Sequence, residues 1–407
     1  MSAFLDRLRA NGAGRPQQPS GARPIGTWAF LGVAIVSLGG PLSLAALNAP
    51  LILAGAGGTA SAGLTTLASV VVFAFPLVIW LRYAREINSS GGLYAFVEAA
   101  AGRRVAQFQA GIWIVSYLLY ILYTTIQVVY DTLPVVLPGE VHYQSLLAIL
   151  IPVALVGSMV AGRRVALIVI GLLAVGQVAI AIVLGGVTLG HIATPVGSFG
   201  TATGVGSVAT GASQIALLYI CASLPLFLGG EVVQPARTIR SGLITAYLVT
   251  ALLILAVVAP LAADPSLASA PIPGMAIAQR FVGHGFAVTV GIGVAASIVG
   301  VMLVEYLALS RLISAMTAWP SRWVVIAIGV LVLVFAPFTL INPQAVYNAL
   351  SEPSLIALWV SQLIVFAVYP MWAAKRGSRM LPVWLLTAAS VAISIYGLWE
   401  VIQHTSS

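Results

Sequence analysis

The sequence predicts an all-α polytopic membrane protein with about eleven transmembrane helices. Three observations carry that expectation. Of 407 residues, 60% are hydrophobic and only 7% are charged, with a mean hydropathy of +1.06, unlike a soluble globular chain. The apolar residues form continuous runs, each about 20 residues long, the length that crosses a hydrocarbon core of about 30 Å; a β-barrel would alternate instead. The runs also sort the charges. With the N-terminus inside, all but Arg280 of the 18 lysines and arginines fall on one side. Short cytoplasmic loops collect basic residues, so the chain reads as multi-pass in the cell inner (plasma) membrane with a cytoplasmic N-terminus. The net charge of +8 then reflects topology and anionic membrane lipid, not nucleic acid.

Residues 1–24 are polar and contain Arg7, Arg9, Arg15 and Arg23; lacking a short apolar core with a cleavage site, they read as a cytoplasmic tail, not a signal peptide. Spans follow near 28–53, 61–83, 105–134, 144–160, 164–189, 208–230, 241–263, 285–316, 321–341, 354–374 and 381–402. Arginines punctuate them: Arg82 and Arg85 close the second, Arg103 and Arg104 open the third, and Arg163 and Arg164 part the fourth from the fifth. Arg237 and Arg240 precede the seventh, Arg311 sits near the end of the eighth, and Lys375 and Arg376 follow the tenth. The single cysteine, Cys221, excludes an intrachain disulfide.

Span 1 carries no charge, but its middle reads Ser37-Leu38-Gly39-Gly40-Pro41. Proline lacks an N–H and clashes with the preceding turn, and each glycine weakens a helix by about 1 kcal/mol. A backbone group freed in lipid costs several kcal/mol, so a break here must face protein or a water-filled cavity. A proline kink packed against neighbours is the plainer alternative. Span 6, Gln214 to Phe227, contains Pro225, which predicts an interruption just upstream. The two spans lie five apart and enter from opposite sides. An inverted five-helix repeat requires that arrangement.

Between spans 2 and 3 stands Ser90-Gly91-Gly92-Leu93-Tyr94-Ala95-Phe96, followed by Ala101-Gly102-Arg103. This stretch resembles the loop after the second helix of the amino acid–polyamine–organocation (APC) permeases, with Val97 to Arg104 expected as a short interfacial helix. Gly39-Gly40-Pro41-Leu42-Ser43, with Pro50 and Gly57-Gly58, is similar to that family's first helix. Glu231 through Arg240 resembles its E-x-x-x-P-x-R-x-I stretch, and Ser310-Arg311 matches a pair often found late in its eighth helix. The resemblance covers residues 28 to 316. It implies leucine-transporter-like inverted five-helix repeats at 25–189 and 190–374, with an additional C-terminal helix at 375–407. The family usually has twelve helices; this chain reads as eleven, with twelve reached if one is missed beyond span 8.

Candidate substrate contacts are Ser37, Gly39, Gly40, Pro41 and Ser43 at the first break, and Ile220, Cys221, Ala222 and Ser223 at the second. Free N–H groups of a half-helix favour a carboxylate, and free carbonyls favour an ammonium. A zwitterionic amino acid satisfies both without any charged side chain. Tyr117, Tyr120 and Tyr123 on span 3 are a candidate cavity wall or plain helix packing. For Cys221 the plainer reading is a small buried packing thiol.

For coupling, the resemblance implies a lysine in the fifth helix of proton-using members, placed between helices 1 and 8. Counting forward from Gly162, the matching position is Gln177, which does not titrate. Glu305, in the middle of span 8, is the clearest intramembrane acid, and an acid there is by default functional. Burial favours its neutral form and suits it to proton exchange; pairing with Arg311, Arg163 or Arg164 is the structural alternative. Glu231, Arg237 and Arg240 are expected to meet Arg82, Arg85 and Glu86 as an inner gate, or else to form a solvated loop. Asp131, Glu140 and Asp264 read as interfacial acids. His142, His191, His284 and His404 share no ligand spacing, so no metal site is expected; no phosphate-loop motif or cofactor signature is present either.

These readings predict a secondary active transporter, not an enzyme, of small amino acids or related organic amines. Alternating access with proton-coupled symport is the expected mode. An exchanger, a polyamine carrier and a non-transporting membrane sensor on the same fold are the alternatives.

Overall fold

The computed structural model describes residues 24–49, 53–54, 57–317 and 319–405. Apart from Pro24, the predicted tail lies outside the described residues, as does Pro50. Ten described helices are long and apolar enough to cross a membrane: Thr27–Ala46, Ala62–Glu86, Arg103–Val136, Arg163–His191, Val205–Leu228, Pro235–Ala263, His284–Thr317, Ser321–Leu340, Pro343–Ala374 and Met380–Gln403. An eleventh, Gln144–Val160, has 17 residues, which at 1.5 Å each span about 25 Å. In chain order these are spans 1 to 11, and each predicted span has its helix. Large apolar side chains such as Leu172, Val175 and Leu252 point outward, as a lipid-facing surface requires. The face carrying the arginine-rich loops is called the basic face, and its opposite the far face.

Several boundaries differ from expectation, among them the end of span 1 at Ala46 (predicted 53) and the start of span 7 at Pro235 (predicted 241); two others have clear local reasons. Span 10 starts at Pro343, well before the predicted residue 354, because Asn342 caps it by accepting from the Ala345 N–H and Pro343 fits the first turn. Pro353 is absorbed within that helix. The short helix before span 3 runs Leu93–Ala101, four residues earlier than predicted, because Gly92 takes φ +50° and turns the chain just ahead of it.

Span 1 is interrupted. Its first half, Thr27–Ser37, ends before Gly39 (φ +80°) and Gly40 (φ +71°), and a second half-helix, Pro41–Ala46, begins at the proline. Span 6 behaves differently. The α-helix stops at Leu218, further ahead of Pro225 than expected, and Ile220–Leu228 rewinds as a 3₁₀ helix instead of opening into coil. Pro225 has no N–H for a 3₁₀ turn to give the Ala222 carbonyl, and every side chain from Ile220 to Leu228 is buried.

Span 10 packs along span 3, span 6 against span 2, span 7 against spans 1 and 2, and span 5 against spans 8 and 1. Small polar groups fasten the first pair. The Ser116 hydroxyl donates to the Ser354 carbonyl, the Ser354 hydroxyl donates back to the Ser116 carbonyl, both at 2.8 Å, and Gln109 donates to Ser361 at 2.9 Å. On the far face, the loop helix Pro273–Phe281 lies over the second half of span 1 so closely that a Cβ on Gly274 would come within 2.4 Å of the Ala46 Cβ.

Candidate functional site

The two irregular stretches meet. A Cβ built on Gly39 would lie 3.3 Å from the Leu218 carbonyl oxygen, so the break in span 1 abuts the point where span 6 changes from α to 3₁₀ winding. Among the described residues no side chain caps the half-helix Pro41–Ala46, and its first turn carries the N–H groups of Leu42 and Ser43. Of the predicted contacts, Ser37, Pro41, Ser43, Ile220, Cys221, Ala222 and Ser223 are all buried. Ser37 spends its hydroxyl on the Ala34 carbonyl at 2.9 Å. Ser223 donates to the Ile220 carbonyl at 3.2 Å and accepts from Gln362 of span 10 at 3.3 Å. Cys221 accepts a long hydrogen bond, 3.9 Å, from the Tyr117 hydroxyl of span 3.

Span 3 supplies an aromatic column beside these residues. Trp113 contacts Phe227 and Tyr117, and Tyr117, Tyr120 and Tyr123 follow at successive turns, ending against Tyr347 of span 10. The tyrosines thus reach the span 6 junction through Tyr117. Glu305 on span 8 is fully buried, and neither carboxylate oxygen has a hydrogen-bond partner among the described residues. It lies within electrostatic reach of Tyr117, Tyr120, Tyr123 and Cys221. Of the alternative partners, Arg163 and Arg311 pair with Glu231, and Arg164 is exposed and joins no ion pair among the described residues. Isolated buried charge is costly, so Glu305 is suited to holding a proton or facing a cation.

Gln177 of span 5 accepts a 2.6 Å hydrogen bond from the Ser297 hydroxyl of span 8, while its own N–H₂ group is buried without a partner among the described residues. A Cβ on Gly40 would sit 2.0 Å from Ser297 Oγ and 3.0 Å from Gln177 Oε1. Spans 1, 5 and 8 therefore converge on one polar spot beside the break.

At the basic face Glu231 forms ion pairs with Arg163 at 2.6 Å and Arg311 at 2.5 Å, tying the loop after span 6 to spans 5 and 8. Its backbone carbonyl accepts from the Ile25 N–H at 2.7 Å within a parallel bridge between Ile25 and Val232. This corrects the expected cluster. Arg237 and Arg85 are exposed and join no ion pair among the described residues, Glu86 pairs with Arg376, and Arg82 donates to the Tyr369 hydroxyl at 2.9 Å. Arg376 also lies over Trp372, and Tyr83 stacks on Phe96 at 4.8 Å, so spans 2 and 10 and the short helix close around an aromatic plug. Sequence reasoning missed Gln109, Ser297, Gln362 and Trp113. Amides within apolar spans were the available signal for two of them.

No family model matches the chain, and no curated protein matches it in sequence. Solved structures do. It is similar to MhsT in complex with L-phenylalanine (16% identity, TM-score 0.60, covering 92% of this chain and 98% of that one). It is similar to a Na⁺-coupled sialic acid symporter in a substrate-bound outward-open state (13%, 0.58, 98% and 96%). A third is Mhp1, a nucleobase-cation-symport-1 family transporter (12%, 0.56, 96% and 97%). The chain has the leucine-transporter fold of these proteins, with two inverted five-helix repeats.

Proposed function

We propose that the protein is a secondary active transporter of small amino acids or related organic amines, working by alternating access and coupled to protons through Glu305. The observation that carries this reading is the meeting of Gly39 with the Leu218 carbonyl, where two membrane helices depart from α geometry at one place. Backbone groups released there offer N–H donors to a carboxylate and carbonyls to an ammonium. Ser43, Cys221 and Ser223 are buried on the two interrupted spans beside this meeting point, and the column of Tyr117, Tyr120 and Tyr123 flanks it. Glu305, buried close by with no hydrogen-bond partner among the described residues, serves as the proton carrier. Repeats at 25–189 and 190–374, a further helix at 375–407 and a cytoplasmic N-terminus in the inner (plasma) membrane complete the proposal, which assigns the chain no enzymatic role and places it with the APC permeases.

Gln177 favours a second reading. A neutral amide at the convergence of spans 1, 5 and 8 carries no proton of its own, which suits an amine exchanger or polyamine carrier. The test is uptake of labelled amino acids and amines into proteoliposomes, with and without a pH gradient. Gradient-driven accumulation supports symport; counterflow alone supports exchange; binding with neither identifies a sensor and overturns transport.

A further inference from the structure

We infer that a cavity in the far-face half of the bundle, between spans 6, 10 and 11, is a second binding site, for an amphipathic organic cation. Its volume is about 640 Å³, within the range of small-molecule pockets. Leu217, Leu218, Leu355, Leu358 and Trp359 give it apolar walls, and Gln214, Asn348, Ser351, Glu352 and Glu400 its polar groups. None of the described lining residues is a lysine, arginine or histidine.

The polar groups favour a donor. Gln214 gives an amide hydrogen to Glu400 at 3.3 Å, and Glu400 also takes the Tyr396 hydroxyl. The amide's orientation is thereby fixed, and its carbonyl oxygen is left buried with no partner among the described residues. That acceptor is independent of the carboxylates, and because it is buried a donor in the cavity reaches it only if the amide shifts toward the cavity. Glu352, half-buried one turn from Asn348, makes no ion pair among the described residues. Trp359 adds an aromatic ring of the kind that attracts cations. Its ring is seated against Gly397, where a Cβ would come within 2.4 Å of the indole, so the wall is shaped by that glycine. Acceptors, a carboxylate and an indole around an apolar volume describe the complement of an ammonium or pyridinium carrying a hydrophobic group.

The site reaches the helix junction. Leu218 and Ile220 line the cavity and also flank Tyr219, where span 6 changes its winding. An occupant therefore presses on the same turn that meets Gly39. The inference goes beyond the transport reading and does not depend on which solute passes the break.

The test is fluorescence titration of the full chain, purified in dodecyl maltoside, with the cation 4-(4-dimethylaminostyryl)-N-methylpyridinium. The expected result is saturable binding that weakens at least tenfold in Glu352→Gln and in Leu355→Trp, which fills the cavity while keeping the carboxylates. Binding in Glu305→Gln is expected to stay within twofold of the original. Alkylammonium ions are expected to compete, and the uncharged styrylpyridine to bind far more weakly. Competition by phosphatidylethanolamine but not by soluble amines would make the ammonium a lipid headgroup at the same site; competition by soluble amines makes it a free solute. Non-saturable uptake of the dye, equal binding of the uncharged analogue, or unchanged affinity in both cavity variants overturns the inference.

Discussion

The Ser297 hydroxyl and the Gln177 side-chain carbonyl are joined by a 2.6 Å hydrogen bond, and together they fill the space that a side chain at residue 40 would need. The glycine is required twice there, once for its φ of +71° and once for the close approach of span 8.

Gly40→Ala is therefore expected to destabilise the protein by about 2 kcal/mol or more, combining backbone strain with the clash against Ser297. Thermal unfolding in detergent measures it. Adding Ser297→Gly should recover the part due to the clash and leave the part due to φ; full recovery would mean the backbone carries no strain.

Glu305→Gln keeps the shape of the side chain and removes its proton exchange. If Glu305 is the proton carrier, uptake into proteoliposomes loses its pH dependence while counterflow continues. Unchanged pH dependence would remove Glu305 from that role.

Glu231→Gln leaves Arg163 and Arg311 facing each other without the carboxylate between them. The side chains are only partly exposed, so a loss of about 2 kcal/mol is expected, between the values of surface and fully buried pairs. Because Cys221 is the only thiol in the chain, maleimide labelling reports opening directly. Labelling of Cys221 should speed up in Glu231→Gln and remain slow in Arg237→Gln, whose arginine is exposed.

Asp264, on the far-face loop, has its carboxyl held below the usual aspartate range by the Ser266 hydroxyl, then by the Leu267 N–H and Arg280. A depressed folded-state value stabilises the loop above the unfolded value of about 3.9 and loses that contribution as pH falls through the lower folded value. The melting-temperature difference between the original chain and Asp264→Asn should be present at pH 6 and vanish at strongly acid pH. A difference that persists there would mean the side chain acts through shape alone.

Much of this architecture was legible in the residues. Length and hydropathy marked the spans, and Gly39-Gly40-Pro41 marked a true break, because neither glycine nor proline can hold a helix together at that density. Pro225 was a weaker guide. A proline shows where an α-helical hydrogen bond is missing, but not whether the chain opens or tightens into 3₁₀ turns, which packing against spans 1 and 8 decides. The partners of Glu231 were not legible at all. A shared place on the basic side pointed to the loop after span 2, yet it is Arg163 and Arg311, 68 and 80 residues away, that reach the carboxylate, brought there by how spans 5 and 8 pack.

The reciprocal bonds between Ser116 and Ser354 restrict how the molecule can move. Both cross at one level, so a slide of either helix past its neighbour by a single residue severs the two together, whereas a small tilt about that level strains neither greatly. With the Gln109–Ser361 bond about two turns further along the same pair, spans 3 and 10 are held as one unit, and any larger displacement falls to the helices that carry the breaks.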